Sequence, residues 1–311
     1  MMIVGGILIA VAVLTGLYIA ISWAPELTVE GLRKRWALPP SQFLDVAGMK
    51  VHLRDEGPRN DAGPIVLLHG MSSSLHTWDG WAAALTGRRR VIRFDLAGFG
   101  LTGPSPDGAY GIDNDVHLVI AMLDRLGVDH CVLAGNSLGG VIACGTALAH
   151  PLRVKMLILV DSGGYAANRR SSFAYFARLP TIDWMVRNTF LPGLVEQVLR
   201  HAYADPSKIT PEVILRSREL NRREGNRRAL IERARQWRQG ALSHRIAELK
   251  LPTLIIWGGR DRLISPDFAE RFHHDIAGST LVVFDDLGHM PQEEDPVRTS
   301  AAVKQFLGLE S

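Results

Sequence analysis

The chain has little cysteine and no internal repeat or low-complexity stretch, although it is 311 residues long. Its two cysteines, Cys131 and Cys144, lie in a predicted strand and a predicted helix, where they are typical of small buried apolar residues. They indicate neither a disulfide framework nor a set of metal ligands. With 47% hydrophobic residues and a net charge of +3, the composition excludes a disordered chain and predicts a globular protein.

Charge is also absent from Met1 to Trp23. A helix of this length would reach about 34 Å, so residues 1–23 are predicted to form a single transmembrane anchor. A secretory signal peptide is one alternative, but no basic residue precedes Arg33, and the nearest cleavage site is followed by Pro25. A buried core helix is the other, and the length of the stretch argues against it. The basic cluster Arg33–Arg35 after the span predicts that the catalytic domain lies in the cytoplasm.

Beyond a juxtamembrane linker, residues 24–42, apolar runs of strand length alternate with helical patterns. A turn signal at Ala47–Met49 separates the first two runs, which predicts an opening hairpin. Strands that alternate with helices predict an α/β fold with a mostly parallel sheet covered on both faces. The predicted strands are Phe43–Val46, Lys50–Arg54, Pro64–Leu68, Val91–Phe94, Cys131–Ala134, Met156–Val160, Thr253–Trp257 and Thr280–Phe284. The predicted helices are Trp78–Leu85, Asp113–Leu126, Val141–His150, Pro266–Ile276 and a last one from about Pro296.

A segment of different composition, residues 163–245, separates two of these strands. It holds fifteen arginines and one lysine against seven acidic residues, a formal charge of +9 that leaves −6 for the rest of the chain. Its helical character predicts a cap over the ligand-binding edge of a core formed by residues 43–162 and 246–311. The charge would suit anionic headgroups, but a solvated, salt-bridged helix surface is the more ordinary interpretation. No nucleic-acid reader motif accompanies the arginines, so no nucleic-acid partner is predicted.

The stretch Gly135-Asn136-Ser137-Leu138-Gly139-Gly140 lies between an apolar run and an alanine-rich helix. Small flanking residues let the backbone turn tightly enough to present a hydroxyl, as in the Gly-x-Ser-x-Gly nucleophile elbow. Chance alone would give roughly 0.15 such pentapeptides in a chain of this composition, so the surrounding sequence must support the assignment. The alternative is a glycine-rich turn without chemistry.

Four further motifs stand in order around the elbow: His69-Gly70-Met71, Asp95–Gly100, Trp257–Asp261 with Pro266, and Gly288-His289-Met290. With them the chain resembles the α/β-hydrolase superfamily, in its branch of capped serine hydrolases, over about residues 43–307. The resemblance implies an α/β-hydrolase sheet, a helical cap inserted after the sixth strand and a Ser-Asp-His triad. A serine at the elbow also excludes the aspartate-nucleophile mechanisms of epoxide hydrolases and haloalkane dehalogenases.

The chemistry of a serine nucleophile assigns the three roles of this triad. Ser137 needs a base, and the base needs an acceptor that fixes its tautomer. His289 follows the last strand and Asp261 the strand before it, so both are expected at the carboxyl edge of the sheet, in the chain order Ser, Asp, His. Asp161 is the alternative acid, because some superfamily members carry the acid after the sixth strand; otherwise it caps a loop.

Acyl transfer also builds negative charge on a carbonyl oxygen, which needs hydrogen-bond donors. The backbone amides of Met71 and Leu138 are the expected oxyanion hole. His69 and Gly70 are expected to support that loop, with His69 bracing it rather than titrating, and Trp78 to pack beneath it. Neither a metal nor an organic cofactor is predicted, because the triad supplies both nucleophile and base.

The first expectation for function is a serine esterase or lipase that forms an acyl-enzyme on Ser137. Its substrate would be a short- or medium-chain carboxylic ester or a monoacylglycerol, and an anchored enzyme would meet such lipids in the bilayer. The resemblance also implies an alternative, because similar capped hydrolases with the same triad cleave a carbon–carbon bond in a vinylogous diketone acid, a ring-cleavage product. Cap arginines could bind the carboxylate of such a substrate. A ligand-binding module on a hydrolase fold is the third hypothesis, and the intact triad argues against it.

Overall fold

A single sheet of eight strands forms the centre of the protein in the computed structural model, which describes residues 13–166, 180–191 and 193–309. The strands are β1 Gln42–Val46, β2 Met49–Glu56, β3 Ile65–Leu68, β4 Val91–Phe94, β5 Cys131–Asn136, β6 Val154–Val160, β7 Thr253–Gly258 and β8 Thr280–Phe284. Their order across the sheet is β1-β2-β4-β3-β5-β6-β7-β8. The opening hairpin pairs antiparallel, as does β2 with β4, and every pair from β4 to β8 is parallel.

Strands β3, β4 and β5 are buried at every residue, as expected of parallel strands covered on both faces. The prediction of a mostly parallel α/β sheet is therefore confirmed. The edge strands β1 and β8 instead mix buried or half-buried with exposed positions. The continuous apolar runs of the sequence thus mark the centre of the sheet.

Helices cover both faces of the sheet. From residue 29 onward, the helices of the described chain are α1 Val29–Trp36, α2 Asp79–Leu85, α3 Ile112–Arg125, α4 Leu138–Ala149, α5 Pro180–Asn188, α6 Leu194–Ala202, α7 Pro211–Asn221, α8 Asn226–Gln236, α9 Asp267–Asp275, α10 Pro291–Glu294 and α11 Pro296–Phe306. Helices α3, α4 and α9 pack in the core cluster on one face, and α2 and α11 in the cluster on the other. Each fully buried Leu, Ile or Val side chain in these clusters contributes about 1.5–3 kcal/mol.

The predicted anchor, residues 1–23, lies largely outside the described residues, which begin at Val13. Residues 13–22 are helical. Among the residues that the structure describes, none of the helices combines the length and the apolar character needed to span a bilayer.

The predicted linker, residues 24–42, differs from a plain connection because it contains α1. Thr28 caps this helix by accepting a hydrogen bond from the Gly31 amide. Leu32 and Trp36 are buried and pack with Leu101 and with Leu220 of α7. The segment therefore folds against both the core and the helices above it.

Helices α5 to α8 occupy the stretch between β6 and β7 where the sequence predicts a cap, although residues 167–179 and 192 lie outside the described residues. Arg233 on α8 reaches down into the core and donates two hydrogen bonds to Asp115 of α3, at 2.6 and 2.9 Å. Both side chains are almost fully buried. At least this basic residue of the segment holds the structure together and does not face solvent.

Candidate active site

Ser137 stands at the junction of β5 and α4, with φ 55° and ψ −114°. A positive φ is uncommon outside glycine and marks local strain. The turn is this tight because its neighbours lack side chains: a Cβ on Gly139 would lie 2.2 Å from the Leu68 carbonyl oxygen, and a Cβ on Gly135 would lie 2.2 Å from the Gly139 backbone. The glycines thus let Ser137 sit at the carboxyl end of the central strand.

His289 and Asp261 lie in contact at the same edge of the sheet. His289 Nδ1 is 2.7 Å from Asp261 Oδ2, and both side chains are buried. The other oxygen, Asp261 Oδ1, accepts hydrogen bonds from the Leu263 and Ile264 amides at 2.7 and 3.0 Å. Asp261 is therefore fixed by three donors, which direct one of its oxygens at the imidazole.

Three contacts hold the backbone of the His289 loop. The His289 amide donates to the Ala202 carbonyl at the end of α6, at 2.7 Å. The side-chain amide of Asn136 donates to the His289 carbonyl at 3.1 Å, and Glu294 accepts from the Gly288 amide at 2.8 Å. The elbow, the helix α6 and the end of α10 thus position this loop together.

Ser137 and His289 both line one cleft. Within the described residues the His289 ring bonds only to Asp261, and no hydrogen bond joins it to Ser137 Oγ. In ligand-free hydrolase sites this bond is often long and tightens when substrate binds. The geometry leaves Nε2 available to receive a proton.

The loop after β3 lies directly beside Ser137. A Cβ on Gly70 would come within 3.2 Å of Ser137 Cβ, so glycine allows the close approach. The amides of Met71 and Leu138 have no acceptor within the described part of the chain. Two neighbouring N–H groups without partners are suited to bind a developing oxyanion.

His69 and Trp78 do not line the cleft. His69 Nε2 accepts from the Leu96 amide at 3.0 Å and Nδ1 donates to the Gly70 carbonyl at 2.7 Å, so the ring joins the loops after β3 and β4. Burial lowers the pKa of His69 and keeps it neutral. Trp78 is buried against Trp81 in the core cluster formed with α2, at 4.9 Å between ring centroids.

Asp161, the alternative acid, also lies at this edge but does not bond to His289. Its Oδ1 accepts from the Gly258 amide at 2.9 Å. Ligand atoms of Asp161, Asp261 and His289 lie within 4.8 Å of one another, the one such grouping of acidic and histidine side chains among the described residues. Because the Asp261–His289 contact already joins two of its members, we assign no metal to it.

The cleft has a volume of about 460 Å³ and a mostly apolar lining. Arg216 of α7 is the one arginine among its described lining residues, and it donates from Nη2 to Glu293 Oε1. Both side chains are mostly buried. Burial acts to lower the pKa of Arg216, but the charge and hydrogen bond of Glu293, together with Tyr203 and Asp79, raise it overall. The apolar lining residues are Met71, Phe190, Leu194, Val195, Val198, Leu199, Ala202, Leu220, Leu230, Leu263, Ile264 and Met290.

Three residues at this site were not assigned roles from the sequence: Asn136, Arg216 and Glu294. Asn136 stands beside the serine inside the elbow motif, where its position could have drawn attention. Glu294 follows His289 by five residues, but a loop contact of this kind has no periodic pattern. Arg216 is one of fifteen arginines in its segment, and nothing local in the sequence distinguishes it.

Comparison with known proteins decides the family. The sequence model of a protein family described as alpha/beta hydrolase fold matches residues 63–296 of this chain. The chain belongs to this family. A 2-hydroxymuconate semialdehyde hydrolase from Pseudomonas sp. (strain CF600) is 31% identical over 271 residues, which cover 84% of this chain and 91% of that protein.

Two solved structures extend the comparison. A meta-cleavage product hydrolase from Pseudomonas fluorescens IP01 is 26% identical with a TM-score of 0.73, over 86% of this chain and 97% of that one. A structure described as a membrane phospholipase A, a novel bacterial virulence factor, is 26% identical with a TM-score of 0.72, over 98% of this chain and 97% of that one.

Family membership confirms the predicted superfamily and makes the chain a hydrolase. It does not decide the bond that is cleaved. Of the three proteins just described, one is named as a 2-hydroxymuconate semialdehyde hydrolase, one as a meta-cleavage product hydrolase and one as a membrane phospholipase A.

Proposed function

We propose that Ser137 is the nucleophile, His289 the general base and Asp261 the acid that orients it. The contact of 2.7 Å between His289 Nδ1 and Asp261 Oδ2 supports these roles. It fixes the tautomer in which Nε2 can accept the Ser137 proton, and it stabilises the imidazolium that forms. The amides of Met71 and Leu138 bind the oxyanion of the tetrahedral intermediate.

The proposed substrate is a vinylogous diketone acid that is cleaved at a carbon–carbon bond. Ser137 Oγ bonds to the ketone carbonyl carbon while His289 takes the serine proton. The carbon–carbon bond then breaks, and the leaving carbon takes that proton from His289. Water, deprotonated by His289, finally hydrolyses the acyl-enzyme and restores Ser137.

The position of Arg216 in the cleft supports this choice of substrate. Only Nη2 of its guanidinium is hydrogen-bonded within the described residues, to Glu293, so Nη1 and Nε remain as donors. A guanidinium is always charged, and each of these two donors can make a charge-assisted hydrogen bond to a carboxylate. Glu293 fixes Arg216 in the cleft that contains Ser137, where it can hold the carboxylate of an acidic substrate.

Replacement of Arg216 tests this substrate class. We expect Arg216→Met to raise the KM for a vinylogous diketone acid by about 10- to 100-fold, because a charge-assisted hydrogen bond contributes about 1.5–3 kcal/mol. Steady-state kinetics should show little change in Arg218→Met, a matched control on the exposed side of α7. Ser137→Ala is the inactive control, and thermal unfolding monitors the loss of the Glu293 partner.

Ester hydrolysis is the second candidate, favoured by the apolar lining of the cleft and by the similarity to the membrane phospholipase A. An apolar acyl chain fits such a lining without help from Arg216. The same assay therefore includes p-nitrophenyl esters of graded length and a monoacylglycerol. Turnover of esters without turnover of the diketone acid would replace the first proposal with this one.

A further inference from the structure

A second carboxyl group is buried beside the proposed triad acid. Asp161 follows β6, is fully buried and has φ 43°. Its amide donates to the Ile256 carbonyl of β7 at 3.0 Å, which continues the parallel pairing by one residue. The positive φ turns the chain here, and aspartate is one of the few residues that tolerate it.

The two oxygens of Asp161 have different surroundings. Oδ1 accepts from the Gly258 amide, whereas Oδ2 is buried and has no donor within the described residues. Asp261, close by, already accepts from His289 and from two backbone amides. A bare, ionised oxygen beside another carboxylate in a dry interior would be costly, both as an unpaired charge and as a like-charge pair.

A proton on Oδ2 removes both costs. We infer that Asp161 is held as a neutral carboxylic acid whose Oδ2–H donates to Asp261, and that it is a positioning residue for the triad acid. The pair then carries one negative charge, located on Asp261. This inference rests on the proposed catalytic role of Asp261 and His289, but the protonation itself does not.

Burial and two neighbouring acidic groups favour the neutral form of Asp161. Burial raises its pKa well above the ordinary value, and the neighbouring charges of Asp261 and Glu294 raise it further. His289 faces the pair from the last loop and donates to Asp261. Glu294 is engaged by the amides of Gly288, Ala204 and Asp205 and does not donate to Asp161.

The proposed hydrogen bond from Asp161 to Asp261 also affects His289, the proposed base. A carboxylate that accepts one more hydrogen bond is a weaker base, so it raises the pKa of its histidine partner less. Loss of the Asp161 proton donor should therefore strengthen the interaction of Asp261 with the imidazolium that forms at His289. The acidic limb of the pH profile of kcat/KM, which reports the base in the free enzyme, should move to higher pH.

Infrared spectroscopy tests the protonation directly on the full-length protein. We expect a carbonyl band of a protonated carboxyl group at neutral pH in the wild type that is missing in Asp161→Asn. Identical spectra in the carboxyl region would overturn the inference. This measurement needs no substrate, so it decides the point even if the proposed function fails.

Kinetics test the positioning role with whichever substrate the wild type turns over. Asp161→Asn keeps a neutral donor for Asp261 and an acceptor for Gly258, so kcat should stay within about threefold of wild type. Asp161→Ala, which lacks the donor, should shift the acidic limb of kcat/KM upward by about half a unit or more. Asp261→Asn should lower kcat by about 10⁴-fold.

Two outcomes would contradict the role. A loss in Asp161→Asn as large as in Asp261→Asn would mean that Asp161 acts as an ionised triad acid. An unchanged pH profile in Asp161→Ala would mean that Asp161 only fills space. If the alanine variant does not fold, Asp161→Gly is the second variant without a side-chain donor, because glycine accepts the positive φ at this position, and thermal unfolding reports its folding.

Discussion

Two histidines near the site are buried and uncharged. His69 joins the loops after β3 and β4, and His76 lies between Ser74 Oγ and the Trp36 carbonyl, at 3.1 and 2.9 Å from Nδ1 and Nε2. Burial lowers the pKa of both, that of His76 to about 3, although nearby acidic groups act in the opposite direction. Their ring nitrogens therefore serve as neutral donors and acceptors that fix loops.

This neutrality predicts that the protein loses stability in acid. The unfolded chain binds a proton at His76 below about pH 6.5, but the folded chain does so only below about pH 3. Between these values the unfolded state binds more protons, so the free energy of unfolding falls as the pH falls, by about 1.4 kcal/mol per pH unit for this histidine. Denaturant unfolding between about pH 6 and pH 4 should show a smaller slope in His76→Gln.

The matched control for that series is His150→Gln, at an exposed position after α4. This variant should retain the wild-type slope. An equal slope in His76→Gln and wild type would show that His76 does not contribute to the acid sensitivity.

At the scale of elements, the buried ion pair between Arg233 and Asp115 joins α8 to the core. Besides Asp115, Arg233 donates to the Ala97 carbonyl at 3.0 Å and lies over the Phe99 and Tyr110 rings at 5.3 and 5.1 Å. A buried pair of this kind contributes little compared with apolar packing. Removal of one partner, however, leaves an uncompensated charge in the interior.

Arg233→Met should therefore destabilise the protein by about 3–5 kcal/mol, because Asp115 would remain buried without its cation. Chemical denaturation measures the loss. Arg228→Met, at an exposed position on the same helix, is the control and should change the free energy of unfolding by no more than about 0.5 kcal/mol. A loss of similar size in both variants would refute a special role for Arg233.

Much of the sheet could be predicted because parallel strands require continuous apolar runs, and β8 has the predicted bounds Thr280–Phe284. Helix α1 was missed, since its stabilisation comes from Leu32 and Trp36 packing against residues distant in sequence. The buried role of Arg233 was missed for a similar reason. Its partner Asp115 is 118 residues away, and only the fold brings them together.

In the candidate site, too, local patterns predicted some residues, while contacts between distant segments could not be predicted. Ser137, Asp261 and His289 are marked by local motifs and by their places after strands, so a sequence can name them. The contacts of Asn136, Arg216 and Glu294 depend on how separate loops meet, which no spacing records. The proximity of Asp161 to Asp261 likewise arises only when β6 and β7 pair side by side.

At the scale of the whole molecule, a membrane anchor at residues 1–23 stays a prediction that fractionation can test. We expect the full chain to sediment with membranes and to require detergent for release, because an apolar helix of this length is not displaced by salt. A chain that lacks residues 1–23 should stay in the soluble fraction. Release of the full chain by high salt alone would contradict a spanning helix.

The hydrogen bond from the His289 amide to the Ala202 carbonyl links the loop of the proposed base to the wall of the substrate cleft. Helix α6 forms one wall of the cleft through Leu194 and Val198. Its last residue, Ala202, accepts the hydrogen bond from the loop of the proposed base. A movement of α6 that widens the entrance would also pull on His289. The wall of the cleft and the backbone of the proposed base are therefore joined by one direct hydrogen bond.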